Sequence, residues 1–496
     1  MKRVTSHNCK PVALSSVPMR DTDRFREELL NACSHGERII CCFGRKEDGA
    51  VRIYAVCSDD ANSRLHITSM AVSEGGAFPS LTNEIPAMHV YERELFENFG
   101  ITPENHPWLK PLRYPHDRDN KNSIIETYPF YKMQGEQVHE VAVGPVHAGV
   151  IEPGHFRFMC DGENIHHLEI QLGYQHRGAV SLLMKGEIAA KSALVESICG
   201  DSVIGHTSAY VGALEALADI DVSRRAQAIR GIMLELERIG IHLGDLSAIS
   251  GDIAYLSGNA IFGALRTYVI NTSQAICGNR FGKGIVRPGG VLFDIDDALA
   301  AQIRATLEDV ARRTDEMANA MFSDPGVLSR IEKTGVVDAE TARAIGMTGP
   351  AARASSLKMD VRADHPFGIY KFFPVFPRAM RTCDVFARAY MRYIEIQQSI
   401  DLVLEILDSF PEPDDLMTPM KPLAGDSLVV SICEGWRGEI VHALMTDADG
   451  RPAAYYIKDP SMHNWTALAL SVRGNGISDF PLCNKSFNLS YCGNDQ

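Results

Sequence analysis

Short runs of apolar residues separated by turn signals dominate the first part of the chain, which indicates a sheet. The runs cover Arg38–Phe43, Val51–Cys57 and Leu65–Val72, and Asp48-Gly49 is a turn between the first two. Apolar residues at three- and four-residue spacing precede them and predict a helix over Asp21–Ala32. The first part of the chain is therefore predicted to be a small α+β unit.

A second helical pattern at Tyr91–Gly100 ends at a glycine. Prolines then recur every four residues within Thr102–Asp119, and each favours an extended residue before it. We therefore predict an extended linker here and divide the chain into two domains, residues 1–125 and 126–496.

Long helical patterns dominate the second domain. Ser223–Ala248 carries apolar residues at core-facing helical spacing with Ser223 as a plausible N-cap, and Met380–Leu407 is a second long helical pattern. Strand-like runs lie near its two ends: Val141–Val150, Phe156–Met159, Ser427–Cys433 and Ile440–Leu444. The predicted fold class is α+β, with a small N-terminal α+β domain followed by a mainly α-helical domain that has small sheets at its start and near its C-terminus.

Composition excludes some classes of function. The 496 residues carry 49 Lys and Arg against 63 Asp and Glu, and the net charge of −14 repels nucleic-acid backbones and anionic membrane surfaces. No stretch approaches the ~18 uninterrupted apolar residues of a membrane-spanning helix, and no apolar signal-peptide region follows the basic N-terminus. We expect a peripheral or soluble chain on the cytoplasmic side, without a transmembrane segment or signal peptide.

Twelve cysteines are scattered along the chain, and no two of them form a C-x-x-C pair. Such pairs are the local chelate of most zinc and iron–sulfur sites. The sequence therefore predicts neither a disulfide framework nor an iron–sulfur cluster held by this chain alone.

Several motifs occur in a fixed order and carry a resemblance to known proteins. Gly144-Pro145-Val146-His147, His176-Arg177-Gly178, Arg287-Pro288-Gly289-Gly290 and Thr348–Ser355 resemble motifs of the 49-kDa subunit of respiratory complex I and of the large subunit of membrane-bound group 4 [NiFe] hydrogenases. Tyr91–Ile101 followed by His106-Pro107 resembles the 30-kDa subunit of complex I. The fusion of both is the arrangement of formate hydrogenlyase and hydrogenase-4 large subunits.

The chain departs from this family at the nickel–iron ligands, which are four cysteines in two C-x-x-C motifs. Only Cys199 matches a ligand, because Ser202, Ser490 and Gly493 stand at the other three positions and Cys492 is displaced by one. Serine hydroxyls are poor substitutes for soft thiolates at nickel. We expect no Ni–Fe centre here.

The resemblance also implies a pocket that faces an iron–sulfur cluster of a partner subunit. His147, Asp252 and Cys199 are the candidate catalytic residues, and Arg177 and Arg353 the candidates near that cluster or pocket. For Arg177, Asp252 and likewise Arg353, the alternative is a structural role as a buried ion pair or helix-end partner.

Three functions are consistent with the resemblance. The first is the large subunit of the peripheral arm of a complex I-like, energy-converting hydrogenase-related oxidoreductase, which passes electrons from a partner [4Fe-4S] cluster to a quinone or another acceptor. The expected partners are a small 20-kDa-like iron–sulfur subunit, a ferredoxin-like subunit and antiporter-like membrane subunits. The alternatives are an active hydrogenase large subunit and a non-catalytic subunit that docks the iron–sulfur partner.

Overall fold

The computed structural model describes residues 3–113, 127–149 and 151–496, and its first part is built around a five-stranded sheet. Strand order is β1-β6-β5-β4, and β3 pairs in parallel with β6. The short strands β7 and β8 form a separate parallel pair. The elements of this part are β1 (Val4–Ser6), β2 (Val12–Ala13), β3 (Met19–Arg20), α1 (Thr22–Ser34), β4 (Arg38–Glu47), β5 (Ala50–Asp59), β6 (Arg64–Ser73), β7 (Ala77–Pro79), α2 (Met88–Phe99) and β8 (Thr102–Glu104).

The predicted elements of this first part are confirmed. Strands β4, β5 and β6 contain the three predicted runs, and each is longer than its apolar run. Helix α1 begins after Asp21, whose carboxylate accepts a hydrogen bond from the Arg24 amide at 2.8 Å. Helix α2 ends at Gly100, whose φ of 68° is the left-handed conformation that glycine adopts without strain.

The predicted linker is extended only at its start, and turns follow, with Asn105 in the left-handed conformation. Thr102–Glu104 forms β8, and no helix follows in residues 105–113. Residues 114–126, which include the end of that linker and the boundary at 125/126, lie outside the described residues. The division into two domains therefore stays a prediction.

Three antiparallel strands in the order β11-β10-β9 follow. They are β9 (Val138–Val143), β10 (His155–Asp161) and β11 (Asn164–Gln171). The predicted strand over Val141–Val150 is wrong over residues 144–149, because Gly144 has a φ of 82°, a left-handed conformation that leaves the pleated ladder. Val150 itself lies outside the described residues.

Helices form most of the second part. Helix α6 confirms the predicted long helix and is capped by Ser223, whose hydroxyl accepts from the Ala226 amide. Helix α13 begins five residues later than predicted, because Cys383 is left-handed and Asp384 caps the helix. The elements up to α13 are α3 (Ala179–Leu183), α4 (Ser192–Val195), α5 (Val203–Ala218), α6 (Arg224–Asp252), α7 (Leu256–Cys277), β12 (Val286–Arg287), β13 (Gly290–Val291), α8 (Asp297–Met321), α9 (Pro325–Ile331), α10 (Ala339–Ala344), α11 (Gly349–Ala354), α12 (Val361–Asp364) and α13 (Val385–Asp408).

A sheet near the C-terminus lies between the two parts of the chain. Its strand order is β16-β15-β14-β2, so the N-terminal segment supplies the last strand. The remaining elements are β14 (Ser427–Gly435), β15 (Gly438–Thr446), β16 (Pro452–Lys458), α14 (Ser461–Ser471), α15 (Phe480–Phe487) and α16 (Tyr491–Asp495). Among the described residues, no helix is both long and apolar enough to cross a bilayer.

Both faces of this C-terminal sheet are buried. Leu428 and Val430 pack into the core of the N-terminal sheet, whereas Val429 and Leu444 pack into the core of the helical part. Since successive side chains of a strand point to opposite faces, alternate residues of β14 and β15 pack into the two different cores. The β14–β15 hairpin is thereby held rigidly, and its tip reaches the candidate site.

Candidate functional site

The tip of the β14–β15 hairpin holds the loop that precedes α5. Arg437 Nη1 and Nη2 donate to the two carboxylate oxygens of Asp201 at 2.5 and 2.8 Å, and Nη1 also donates to Cys199 Sγ at 3.2 Å. The neighbouring Trp436 indole donates to the Asp201 carbonyl. Burial alone would raise the pKa of Asp201, but the Arg437 charge holds it below its usual value. The loop is therefore fixed by a buried, charged fork.

Cys199 meets the C-terminal segment on its other side. Its Sγ lies 3.1 Å from Ser490 Oγ, which in turn lies 3.5 Å from Cys492 Sγ. The neighbouring Cys492 thiol, together with burial, raises the pKa of Cys199, and the Cys199 thiol lowers the pKa of Cys492. The structure thus brings the displaced Cys492 beside Cys199, with Ser490 Oγ in contact with both sulfurs.

The space beside Gly493 is filled by a carboxylate. A Cβ added to Gly493 would lie 2.5 Å from Asp459 Oδ2 and 2.9 Å from Ser490 Oγ. The Asp459 carboxylate is held there by His206 Nε2 at 3.1 Å and by the Ser461 amide at 2.8 Å. Burial alone would raise the pKa of Asp459, but the His206 hydrogen bond keeps it lowered. No side chain fits at position 493 unless this carboxylate moves.

Of the residues predicted for the site, Cys199, Ser202, Ser490 and Gly493 come together. Ser202 Oγ accepts from Arg437 Nη1 at 3.3 Å, and the Gly493 amide donates to Ser490 Oγ at 2.9 Å. They converge although 291 residues separate Cys199 from Ser490 along the chain.

The His147 loop packs against this cluster through the C-terminal segment. His147 Nε2 lies 2.9 Å from the Gly154 carbonyl oxygen, and Gly154 packs directly on the Tyr491 ring. Glu152, in the same loop, accepts from the amides of Tyr491 and Cys492 at 3.2 and 3.3 Å. The loop therefore supports the segment that carries Ser490, and His147 contacts this loop at Gly154.

Arg177 lies at the surface beside the Cys199 loop. Its guanidinium donates to the Ser197 carbonyl at 2.6 Å and to the Ile198 carbonyl at 2.9 Å, and its side chain is exposed. It therefore makes no buried ion pair among the described residues, but its two carbonyl partners follow the end of α4, which agrees with the alternative of a helix-end contact.

Asp252 and Arg353 make no hydrogen bond or ion pair with the Cys199 cluster among the described residues. Asp252 is exposed at the end of α6 and pairs with Lys485 at 2.6 Å. Arg353 is 1% exposed and pairs with Glu395 and Glu434, both at 2.8 Å. Their proposed roles rest on the resemblance alone.

Sequence reasoning missed the charged residues that frame the cluster. Arg437 was the easiest of these residues to predict, because it lies between two predicted strands, where a hairpin tip is expected. Asp245 lies two turns before Asp252 on α6, about 10 Å along the helix axis. Its carboxylate accepts a hydrogen bond from Asn488 Nδ2, and the backbone carbonyl of Asn488 accepts one from Arg437. Only the tertiary contacts select Asp245 over Asp252. Among the described residues, no group of three or more His, Cys, Asp or Glu is arranged to hold a metal ion.

Comparison with known proteins places the chain in a family. Family models of the respiratory-chain NADH dehydrogenase 30 Kd and 49 Kd subunits match residues 20–133 and 252–426. Formate hydrogenlyase subunit 5 of Escherichia coli is 30% identical over 478 residues, which is 91% of this chain and 83% of that protein. The chain belongs to the family of hydrogenase and complex I large subunits. The expected fusion of 30-kDa-like and 49-kDa-like parts is confirmed.

Two further proteins that resemble this chain are parts of larger oxidoreductases. A subunit of the NADH-quinone oxidoreductase of Clostridium beijerinckii is 29% identical over 68% of this chain and 91% of its own length. A chain of the membrane-bound sulfane sulfur reductase, an archaeal respiratory membrane complex, has the same fold, with a TM-score of 0.68 and 23% identity over 74% of this chain and 100% of that chain. The relatives are thus subunits of oxidoreductases.

Proposed function

We propose that this chain is the large subunit of the peripheral, cytoplasm-facing arm of a membrane-bound complex I-like oxidoreductase. In this proposal it passes electrons from a [4Fe-4S] cluster, held by a small 20-kDa-like partner, to a quinone or another acceptor beside Cys199. A ferredoxin-like subunit and antiporter-like membrane subunits are the further partners. The family of its relatives supports this class of complex.

The Cys199 cluster does not fit a nickel–iron centre, and this observation carries the proposal. A centre of that kind needs four thiolates, whereas the cluster offers two thiols and the hydroxyls of Ser202 and Ser490. A fourth thiolate at position 493 would collide with the Asp459 carboxylate. We therefore propose that the chain works without Ni–Fe chemistry.

Arg177 suits the surface that faces the partner cluster. Its two carbonyl contacts fix the guanidinium beside the Cys199 loop while leaving it exposed. A fixed positive charge near an iron–sulfur cluster stabilises the reduced state and raises the potential of the cluster. Arg177→Gln should therefore lower the midpoint potential of the cluster in the assembled complex, whereas Arg280→Gln, at another surface arginine, should leave it unchanged.

The deciding experiment counts nickel and iron in the complex purified with its partners. Iron in multiples of four without nickel, together with electron transfer from reduced methyl viologen to decylubiquinone, supports the proposal. Nickel near one per chain contradicts it and favours the active hydrogenase. Electron transfer that is insensitive to substitution of Arg177 and Cys199 favours the docking role instead.

A further inference from the structure

A buried chain of four polar side chains runs from the Cys199 cluster into the C-terminal sheet. Asp459 Oδ2 lies 3.1 Å from His206 Nε2, and His206 Nδ1 lies 3.1 Å from His442 Nε2. His442 Nδ1 is 2.6 Å from the Tyr455 hydroxyl. The exposed fraction of these residues is 6% or less, and none belongs to the predicted site. The four groups form one uninterrupted series of hydrogen bonds.

The partners of each group assign the direction of these bonds. The pKa of Asp459 is lowered, so its carboxylate accepts from His206 Nε2–H. Burial and the neighbouring His206 hold the pKa of His442 well below its usual value, so His442 is neutral. His206 Nδ1 then accepts from His442 Nε2–H, and His442 Nδ1 accepts from the Tyr455 hydroxyl, because burial raises the pKa of Tyr455 and keeps it protonated. In each hydrogen bond of the series, the donor therefore lies on the Tyr455 side and the acceptor on the Asp459 side.

The inner end of the chain lies beside the cluster. Asp459 Oδ2 and Ser490 Oγ lie 2.5 and 2.9 Å from the position of a Cβ added to Gly493, and Ser490 Oγ contacts Cys199 Sγ at 3.1 Å. Gly493 therefore allows the acceptor of the hydrogen-bonded series to lie beside the cluster.

The outer end reaches a cavity. Tyr455 is part of the wall of a cavity of about 320 Å³, which His176, Ser181 and Gln496 line from the helical part and Glu94 and Asn98 line from α2. Most of the cavity wall is apolar, but its volume is large enough for several waters and its polar side chains can hydrogen-bond them. It lies where the N-terminal part of the chain meets the helical part.

We propose that Tyr455, His442, His206 and Asp459 conduct protons between this cavity and the Cys199 cluster. A water in the cavity gives a proton to Tyr455 as the tyrosine proton passes to His442, the Nε2 proton of His442 passes to His206, and the Nε2 proton of His206 passes to Asp459. One proton enters, one arrives, and the four groups exchange no electrons. The electrons come from the partner iron–sulfur cluster, so the inference rests on the proposed function.

The test uses the intact membrane complex and compares neighbouring tyrosines. Tyr455→Phe removes only the hydroxyl of the conducting residue, and His442→Gln removes the imidazole. Tyr456→Phe is the matched control, since Tyr456 is the next residue of β16 and its hydroxyl contacts the Met462 sulfur at 3.8 Å instead. The measurements are electron transfer from reduced methyl viologen to decylubiquinone in H₂O and D₂O, and proton uptake on reduction by dithionite.

Tyr455→Phe and His442→Gln are expected to slow electron transfer about 10- to 100-fold, at the lower end of what general acid–base groups supply. Their solvent deuterium isotope effect should rise above the wild-type value, and Tyr456→Phe should change neither quantity more than about twofold. A structural role alone would lower stability without changing the isotope effect.

The inference and the proposed function fail separately. Wild-type rates and isotope effects in both Tyr455→Phe and His442→Gln overturn the proton path while leaving electron transfer in place. A wild-type complex that reduces no acceptor overturns the proposed function. In that case, proton uptake on reduction by dithionite tests the proton path by itself. Proton uptake that is absent, or equally fast in Tyr455→Phe, overturns the path, and uptake slowed only by Tyr455→Phe and His442→Gln supports it.

Discussion

Replacing Gly493 by alanine tests whether the Asp459 carboxylate fills the space beside the cluster. The added Cβ would lie 2.5 Å from Asp459 Oδ2, 2.7 Å from its Cγ and 2.9 Å from Ser490 Oγ, all closer than non-bonded atoms approach. Forcing a methyl group into a packed site costs about 1–3 kcal/mol. Alanine in place of glycine within helix α16 returns about 0.5–1 kcal/mol. The expected net destabilisation is therefore about 1 kcal/mol, within a range of about 0–2.5 kcal/mol.

Gly200→Ala is the matched control, because nothing lies within 4 Å of a Cβ added there and the residue is exposed in the same cluster. Thermal unfolding of both variants gives the stability difference. Hydrogen exchange followed by mass spectrometry locates it, since displacement of Asp459 frees the Ser461 amide that donates to it. Exchange should accelerate in residues 459–465 of Gly493→Ala only. Equal unfolding temperatures and equal exchange in the two variants would show that the carboxylate does not occupy this space.

Three further changes test two buried charged residues and one helix cap. Burial alone would raise the pKa of Glu439, but Arg38 and Lys458 lower it to about 2. This stabilisation is therefore complete above the unfolded value of about 4.3 and is lost as pH falls toward 2. Glu439→Gln should cost about 3–5 kcal/mol at pH 7, and its deficit in unfolding temperature against wild type should shrink between pH 4.5 and 2.5. Arg353→Met strands two buried carboxylates and should also cost about 3–5 kcal/mol, whereas Arg312→Met, at a solvent-exposed surface pair, should leave the unfolding temperature unchanged. Asp384→Ala removes the cap of α13 and should cost about 1–2 kcal/mol, measured in the same thermal assay against Asp408→Ala.

The sequence could predict the candidate site only where a motif marks it. Cys199, Ser202, Ser490 and Gly493 follow from an ordered resemblance, and the structure brings these four together. Asp252 and Arg353 carried the same kind of signal, yet each has its partners elsewhere. A motif position indicates where a residue lies along the chain, but the approach of helix α6 to the C-terminal segment decides which of its carboxylates reaches the cluster.

Local patterns in the sequence determined the long helices and the alternating strands, because helical spacing and strand alternation are properties of neighbouring residues. The resemblance to the hydrogenase family also showed from the sequence that three of the four ligand cysteines are replaced. The tertiary structure alone decided that β2 joins the C-terminal sheet, that Cys492 meets Cys199, and that Asp459 fills the space beside Gly493. These contacts join residues more than 200 positions apart, except for Asp459 and Gly493, and they depend on how complete elements pack. No spacing between neighbours encodes that packing.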